Sequence, residues 1–198
     1  RDIVRILRSD WPRVLLVIIA TLPLFPLVFL LKPIKDIFEI PQNVGYALLF
    51  TGLLLFLGER FAASIQMRNS ENNWRSALCI GVFQAIAIIP GVSRSGSTIS
   101  AARVLGWDRV EAARFSFLMA IPAILGGVCL EVLEIVSGKA VVATSAWQPY
   151  AVGFVASFVV GWLALIQLLR LVSKGNLRIF IWYCLALGLG WLAYLHVN

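Results

Sequence analysis

The stretch PGVSRSGST, residues 90–98, places one arginine, three serines and a threonine inside an otherwise apolar part of the chain. The apolar residues 77–89 precede it, and a helix of that length reaches about 20 Å, which is short of a hydrocarbon core of about 30 Å. The Pro90-Gly91 pair ends this helix, and a second short helix over about 96–106 follows. The spacing therefore predicts two short helices over about 77–106, either crossing as one broken helix or returning as a re-entrant hairpin.

The composition around this stretch is that of an integral membrane protein. Of the 198 residues, 60% are hydrophobic and 14% are charged, whereas soluble domains are about half apolar and a quarter charged. We predict an all-α polytopic helix bundle, a single transmembrane domain over 1–198, with about five transmembrane helices and one re-entrant hairpin. Pro23 and Pro26 predict a kink in the first span. The predicted spans are 14–31, 43–58, 113–136, 147–170 and 179–197.

The net charge of +7 does not indicate nucleic-acid binding, because the basic residues lie in short loops between apolar segments. A re-entrant hairpin places thirteen of them on one side of the membrane and three on the other, whereas a crossing helix gives eight and eight. The positive-inside rule therefore favours the hairpin. It also predicts that the more basic side is cytoplasmic, that the C-terminus is extracytoplasmic, and that the loops contact lipid headgroups.

Other reactive side chains carry little signal. The three cysteines lie far apart in apolar segments and are expected to be small buried hydrophobes. The only histidine is His196, so no metal site is identifiable in this chain. Glu131 and Glu134 come late in the third span, where they either mark the interfacial end of a helix or line an ion or substrate path.

The hairpin tip carries groups that suit phosphate. Arg94 presents a planar fork of donors, the hydroxyls can donate, and exposed N–H groups around Gly91 and Gly96 could form an anion nest. Polar backbone at membrane depth requires a water-filled or protein-lined pocket. A plain turn with an N-cap serine is the alternative interpretation. Gln84, in the first arm, either orients a ligand or is satisfied by a neighbouring helix.

Two segments resemble a known family. Residues 81–98, GVFQAIAIIPGVSRSGST, resemble the PGxSRSxxT region of the undecaprenyl-pyrophosphate phosphatases, the bacitracin-resistance family, and residues 115–122, FSFLMAIP, resemble the stretch that follows it there. The resemblance implies inverted repeats, each with a re-entrant hairpin, in a bacterial inner (plasma) membrane. It also implies hydrolysis of the C55 isoprenyl pyrophosphate to the monophosphate and phosphate, which recycles the lipid carrier of peptidoglycan synthesis.

The resemblance also implies site residues. Ser93, Arg94, Ser95 and Thr98 match the family's catalytic and pyrophosphate-binding positions. We assign Arg94 and Ser93 to catalysis and the others to substrate binding, together with Gly91, Gly96 and Gln84 from the residue chemistry above. A divalent cation, Mg²⁺ or Ca²⁺, is implied by the resemblance alone. Whether serine or water attacks, and whether the chain forms a homodimer, stays open.

One part of the family pattern is missing from this sequence. The family's other half-site is an acidic ExxxE-type motif with a serine and a histidine in an N-terminal hairpin, and no such motif occurs here. Gln84 takes the equivalent of the first acidic position, and an amide cannot act as a general base. We therefore expect the chain to be an N-terminally truncated fragment or to depend on another chain, with little phosphatase activity alone.

Two alternatives to a phosphatase remain at this point. Broken helices with polar tips at mid-membrane are also typical of secondary transporters, so a transporter or flippase for a phosphorylated lipid or anion is the second hypothesis. A purely structural membrane subunit is the third. Phosphate release from the lipid pyrophosphate separates the first hypothesis from the other two.

Overall fold

The computed structural model describes residues 10–28, 40–64, 73–138, 147–173 and 178–197. All regular secondary structure in these ranges is α-helical, which confirms the predicted class. The helices, in chain order, are α1 (Trp11–Thr21), α2 (Leu24–Val28), α3 (Pro41–Ser64), α4 (Trp74–Ile86), α5 (Arg94–Val104), α6 (Arg109–Val136), α7 (Gln148–Ser173) and α8 (Arg178–Val197).

Within these ranges, four helices are long and apolar enough to cross a membrane: α3, α6, α7 and α8. They correspond to the last four predicted spans. The first predicted span, 14–31, is interrupted rather than kinked, because α1 ends at Thr21 and α2 begins at Leu24. Pro23 lies in this break, where its missing N–H costs no helical hydrogen bond. Residues 29–31 lie outside the described residues.

Side-chain caps set where three helices begin. Asn73 accepts a hydrogen bond from the N–H of Ser76 at the start of α4. Ser93 caps α5, and Asp108 accepts from the first turn of α6. Because these caps satisfy N–H groups that a helix start leaves free, α5 begins two residues before the predicted position 96, and α6 begins four residues before 113.

The predicted pair of short helices over about 77–106 is present as α4 and α5, which contact each other and are joined by residues 87–93. The joining turn rests against α3. Gly91 has a φ of +89°, and a Cβ at this position would lie 2.8 Å from the Cβ of Ala47. Both the backbone conformation and the close approach therefore require glycine.

α5 lies at the centre of the described bundle, in contact with α3, α4 and α6. Every residue from Gly96 to Ala102 is buried, and small side chains allow neighbouring helices to approach closely. A Cβ added to Gly58 on α3 would lie 2.7 Å from the Cβ of Ser100 on α5. α1 approaches α4 even more closely, because a Cβ on Gly81 would lie 2.3 Å from the carbonyl oxygen of Ala20.

The second half of α6 and most of α7 have a different environment. α6 continues through Pro122 without ending, and most of its side chains from Ile124 to Val136 are exposed, including Glu131 and Glu134. α7 joins the core only near its C-terminal end, through Val172 and two neighbouring leucines. Apart from these two glutamates, the exposed side chains of the two segments are mostly apolar, as expected of helices that contact lipid.

Candidate functional site

The residues at the start of α5 are organised by Ser93. Its side-chain oxygen accepts a hydrogen bond from the N–H of Gly96 at 3.1 Å, which is the geometry of an N-cap. Its own N–H donates to Oγ1 of Thr51 on α3 at 2.9 Å. The structure thus places Ser93 as the cap of α5, and the hydrogen of its hydroxyl is not used by that accepting role.

Arg94 is half-buried and held along one edge of its guanidinium group. Its Nε and Nη2 both donate to Oε1 of Gln84, at 3.1 and 2.8 Å. Nη2 also donates to the carbonyl oxygen of Met119, at 3.1 Å. The Nη1 nitrogen has no acceptor among the described residues. The sequence predicted a guanidinium whose whole fork of donors could bind phosphate. In this structure Nε and Nη2 already have acceptors, so Nη1 is the nitrogen left for a ligand.

The Met119 carbonyl belongs to the turn of α6 that precedes Pro122. Pro122 has no N–H, so the helix is one hydrogen bond short in this turn. In membrane helices, neighbouring groups commonly satisfy carbonyls near such a proline. The carbonyl that loses its helical donor is that of Leu118, four residues before Pro122, whereas Arg94 binds the next carbonyl, that of Met119, and so brings the two family-like segments, residues 81–98 and 115–122, into contact.

Gln84 is 1% exposed, and its two amide atoms differ. Oε1 accepts both hydrogen bonds from Arg94, whereas Nε2 is buried and has no partner among the described residues. An unmet buried donor costs about 1–3 kcal/mol. Of the two interpretations made from the sequence, contact with a neighbouring helix accounts for the oxygen, and the role of the nitrogen in orienting a ligand stays a prediction.

The first turn of α5 has further open donors. Among the described residues, the Ser95 hydroxyl has no hydrogen-bond partner, and the N–H groups of Arg94 and Ser95 have no acceptor. The nest expected around Gly91 and Gly96 is found in part, since the Gly96 N–H is used by Ser93 whereas the Gly91 N–H has no acceptor among the described residues. The open N–H groups of α5 therefore lie one and two residues before Gly96, at the positive end of the helix dipole.

The side chains of Thr98 and Ser97 are buried between packed helices. The Thr98 hydroxyl lies 2.9 Å from the Arg94 carbonyl oxygen and 2.6 Å from the Ser116 hydroxyl. The Ser97 hydroxyl donates to the Ser93 carbonyl at 2.9 Å. Both residues are buried. In this structure their hydroxyls bond to carbonyls at the start of α5, and that of Thr98 also contacts α6. A contact between Thr98 and substrate stays a prediction.

Three partners of the site were not identified from the sequence: Thr51, Ser116 and the Met119 carbonyl. Thr51 is the only serine or threonine in the predicted span 43–58, which is a weak signal for a buried polar contact. Ser116 lies inside the segment that carries the family resemblance. A main-chain carbonyl leaves no residue-type signal at all.

Arg94 gives the site its positive charge. Within the described ranges, no carboxylate or imidazole contacts Arg94, and no group of three or more His, Cys, Asp and Glu could hold a metal ion. The salt bridges found in these ranges lie elsewhere and join residues near helix ends. They are Arg13–Asp10, Arg13–Glu111, Arg109–Glu59 and Arg114–Glu111.

The chain is similar to curated proteins named undecaprenyl-diphosphatase. One from Protochlamydia amoebophila is 46% identical over 87% of this chain and 66% of its own length. One from Methanothermobacter thermautotrophicus is 40% identical over 88% of this chain and 96% of its own length. One from Christiangramia forsetii is 40% identical over 74% of this chain. The chain thus spans 66% and 53% of the first and third of these relatives, and nearly all of the second.

A family model extends the similarity along almost the whole sequence. It describes the bacitracin resistance protein BacA and matches residues 3–190. The matched range includes both family-like segments, the turn between α4 and α5, three of the four long apolar helices and the first part of α8. By this match, and by the identities of its relatives, the chain belongs to the bacitracin resistance protein BacA family.

Proposed function

We propose that this protein acts in the hydrolysis of undecaprenyl pyrophosphate to undecaprenyl phosphate and phosphate, with the first turn of α5 binding the pyrophosphate. The observation that carries the proposal is the set of hydrogen-bond donors left open there. They are Arg94 Nη1, the Ser95 hydroxyl and the N–H groups of both residues, with the buried Gln84 Nε2 beside Arg94. The names of the relatives supply the substrate.

The open donors account for binding and for charge stabilisation. Phosphate oxygens would accept from Arg94 and from the first turn of α5, where the helix dipole adds a favourable partial charge. These donors are held in place before the substrate arrives, so they stabilise negative charge that develops in the transition state without reorganising. The apolar outward faces of α6 and α7 fit the isoprenyl tail and the surrounding membrane lipids.

The attacking group stays a prediction. The Ser93 hydroxyl keeps its hydrogen while it caps α5, so it could be activated by a base or donate to a phosphate oxygen. Attack by water is the alternative. Because the described contacts of the site include no carboxylate or histidine, we derive no proton transfer from them.

The divalent cation is supported only by the resemblance. The side chains that contact or flank Arg94 are an amide and hydroxyls, whereas Mg²⁺ and Ca²⁺ sites are built around carboxylate oxygens. The described residues therefore do not form a cation site by themselves, and dependence on Mg²⁺ or Ca²⁺ remains a prediction to be tested by adding chelator.

The cellular location and the orientation of the protein are proposed from its apolar helices, its family and its loop charges. Its four long apolar helices and its family make it a multi-pass membrane protein. We propose the bacterial plasma membrane, with the C-terminus extracytoplasmic on the basis of the loop charges. A homodimer is a further prediction. Cysteine labelling at Lys139 tests the orientation, since a probe that reacts there only from the cytoplasm would contradict it.

The test of the function uses the protein as its gene encodes it, in lipid nanodiscs with undecaprenyl pyrophosphate, and measures phosphate release. We expect both Arg94→Ala and Arg94→Lys to lower kcat/KM by about 100-fold or more, the effect of losing a donor to developing charge. A lysine can replace the charge but not the three bonds to Gln84 and Met119.

The matched control is Arg114→Ala, since Arg114 is exposed and makes a long 3.5 Å contact with Glu111; we expect its activity to stay within about twofold of the wild type. Undiminished phosphate release by Arg94→Ala would overturn the site. Translocation of the lipid without phosphate release by the wild-type protein would instead favour the transporter hypothesis.

A further inference from the structure

We infer that Thr51, on α3, is a positioning residue for the pyrophosphate-binding turn of α5. The activity measurement that tests this inference rests on the proposed function. The positioning role itself rests on the geometry of the turn. Thr51 touches none of the open donors. It acts through Ser93, which caps α5 immediately before Arg94.

A single hydroxyl makes both contacts. Oγ1 of Thr51 accepts from the N–H of Ser93 at 2.9 Å and donates to the carbonyl oxygen of Gly91 at 3.3 Å. Thr51 is 1% exposed, so water does not compete for either bond. Both main-chain groups lie in the turn between α4 and α5, and Thr51 therefore connects that turn to a separate membrane-spanning helix.

Two other buried hydroxyls of the bundle show the more common arrangement within a helix. In helices, serine and threonine commonly bond to the carbonyl four residues earlier. Thr21 does so with Val17 at 2.7 Å, and Ser97 does so with Ser93 at 2.9 Å. Thr51 instead makes both of its described hydrogen bonds with residues 40 and 42 positions later in the sequence, as expected if its hydroxyl serves the turn rather than its own helix.

The contact decides which N–H groups face a ligand. Because Thr51 takes the N–H of Ser93, and Ser93 takes that of Gly96, the open N–H groups in the first turn of α5 are those of Arg94 and Ser95. Loss of the Thr51 hydroxyl would leave a buried N–H without a partner, and the turn would relieve this by shifting. Such a shift moves the Arg94 backbone away from its present position.

The experiment compares Thr51→Val, which removes the hydroxyl and nearly keeps the volume, with Thr51→Ser, which keeps the hydroxyl. Thr21→Val is the matched control, because Thr21 is also buried and bonds only within its own helix in the described contacts. Steady-state phosphate release gives kcat and KM separately, and amide hydrogen exchange reports on residues 91–96.

We expect Thr51→Val to lower kcat/KM by about 10- to 100-fold, with faster exchange at residues 91–96, while Thr51→Ser stays within about threefold of wild type. Equal kcat/KM in Thr51→Val and Thr21→Val would overturn the inference. So would a Thr51→Ser variant as impaired as Thr51→Val, because the hydroxyl would then not be responsible.

Two further outcomes are also decisive. If Thr51→Val does not fold, Thr51→Cys replaces it, since a thiol keeps the volume and is a weak hydrogen-bonding group. If the wild-type protein releases no phosphate, the proposed function fails by itself and hydrogen exchange decides the inference. Faster exchange at 91–96 in the hydroxyl-free variant then supports the inference, and unchanged exchange refutes it.

Discussion

The hairpin formed by α4 and α5 and the long helix α7 hold their positions in different ways. In α5, Thr98 and Ala102 are 1% and 0% exposed, whereas Phe154 and Trp162 of α7 are 74% and 59% exposed. α5 is held by small residues and hydrogen bonds to three neighbouring helices. α7 presents large apolar side chains outward and joins the core near one end.

The comparison shows which membrane helices tolerate substitution and which do not. A helix that faces lipid needs only hydrophobicity and length, since lipid tails fit any apolar surface. A short helix inside a bundle must fit its neighbours atom by atom, and its polar groups must find partners there. Substitutions of the same kind in the two regions should therefore have very different effects.

The largest effect is expected from Gly81→Val in α4. The new side chain would meet the backbone of Ala20, whose carbonyl oxygen lies 2.3 Å from the position of the added Cβ. Backbone cannot move aside as a side chain can, so we expect a loss of about 3 kcal/mol or more in the free energy of unfolding. The measurement is the yield of monodisperse protein in detergent and its apparent Tm.

Gly161→Val in α7 is the matched substitution, because a Cβ there meets nothing within 4 Å. It should leave yield and Tm close to those of the wild type. If both valine variants behaved alike, the contrast between the packed hairpin and the outward-facing helix would be wrong.

An intermediate effect is expected from Gln84→Leu, which removes the acceptor of two hydrogen bonds from Arg94. Hydrogen bonds to charged groups are worth about 1.5–3 kcal/mol, so we expect kcat/KM to fall by about 10- to 100-fold. Phosphate release by purified protein is the measurement.

Gln84→Glu sharpens this prediction. It keeps an oxygen acceptor for Arg94 but adds a negative charge that competes with phosphate for the guanidinium, so its main effect should be a higher KM. Wild-type kinetics in Gln84→Leu would show that Gln84 does not hold Arg94 during the reaction.

The smallest effect is expected from Ser116→Ala in α6. Thr98 would lose its 2.6 Å contact with the Ser116 hydroxyl but keep its bond to the Arg94 carbonyl. We expect a loss of about 1 kcal/mol in stability, a fall of roughly 2–4 °C in Tm, and activity within about twofold of the wild type. A large loss of activity would mean that Ser116 takes part in the reaction and not only in packing.

Several features of the fold follow directly from the sequence. The short apolar run before Pro90-Gly91 predicted two short helices, which are present as α4 and α5. The later spans also agree, because length and hydrophobicity decide them. The helix starts were predicted less well, since the caps Ser93 and Asp108 extend α5 and α6 toward the N-terminus.

The sequence could name candidate groups for the site but not their contacts, for a physical reason. Sequence patterns identify groups that can bind phosphate, so Arg94, Ser95 and Gln84 could be named in advance. They do not show which groups are already used inside the protein. Ser93 caps a helix and Thr98 bonds within the bundle, and both facts depend on where α3 and α6 lie. Thr51, which comes from a distant helix, could not be linked to the turn without that placement.

The contact between Arg94 and the carbonyl oxygen of Met119 has a consequence for how this site can change over evolutionary time. Because the acceptor belongs to the main chain, the side chain at position 119 can be replaced by others of similar volume while the hydrogen bond persists. What must be inherited is the path of the helix near Pro122. One of the contacts that hold Arg94 thus depends on the backbone path of α6, and a comparison of residue identities alone would not detect it.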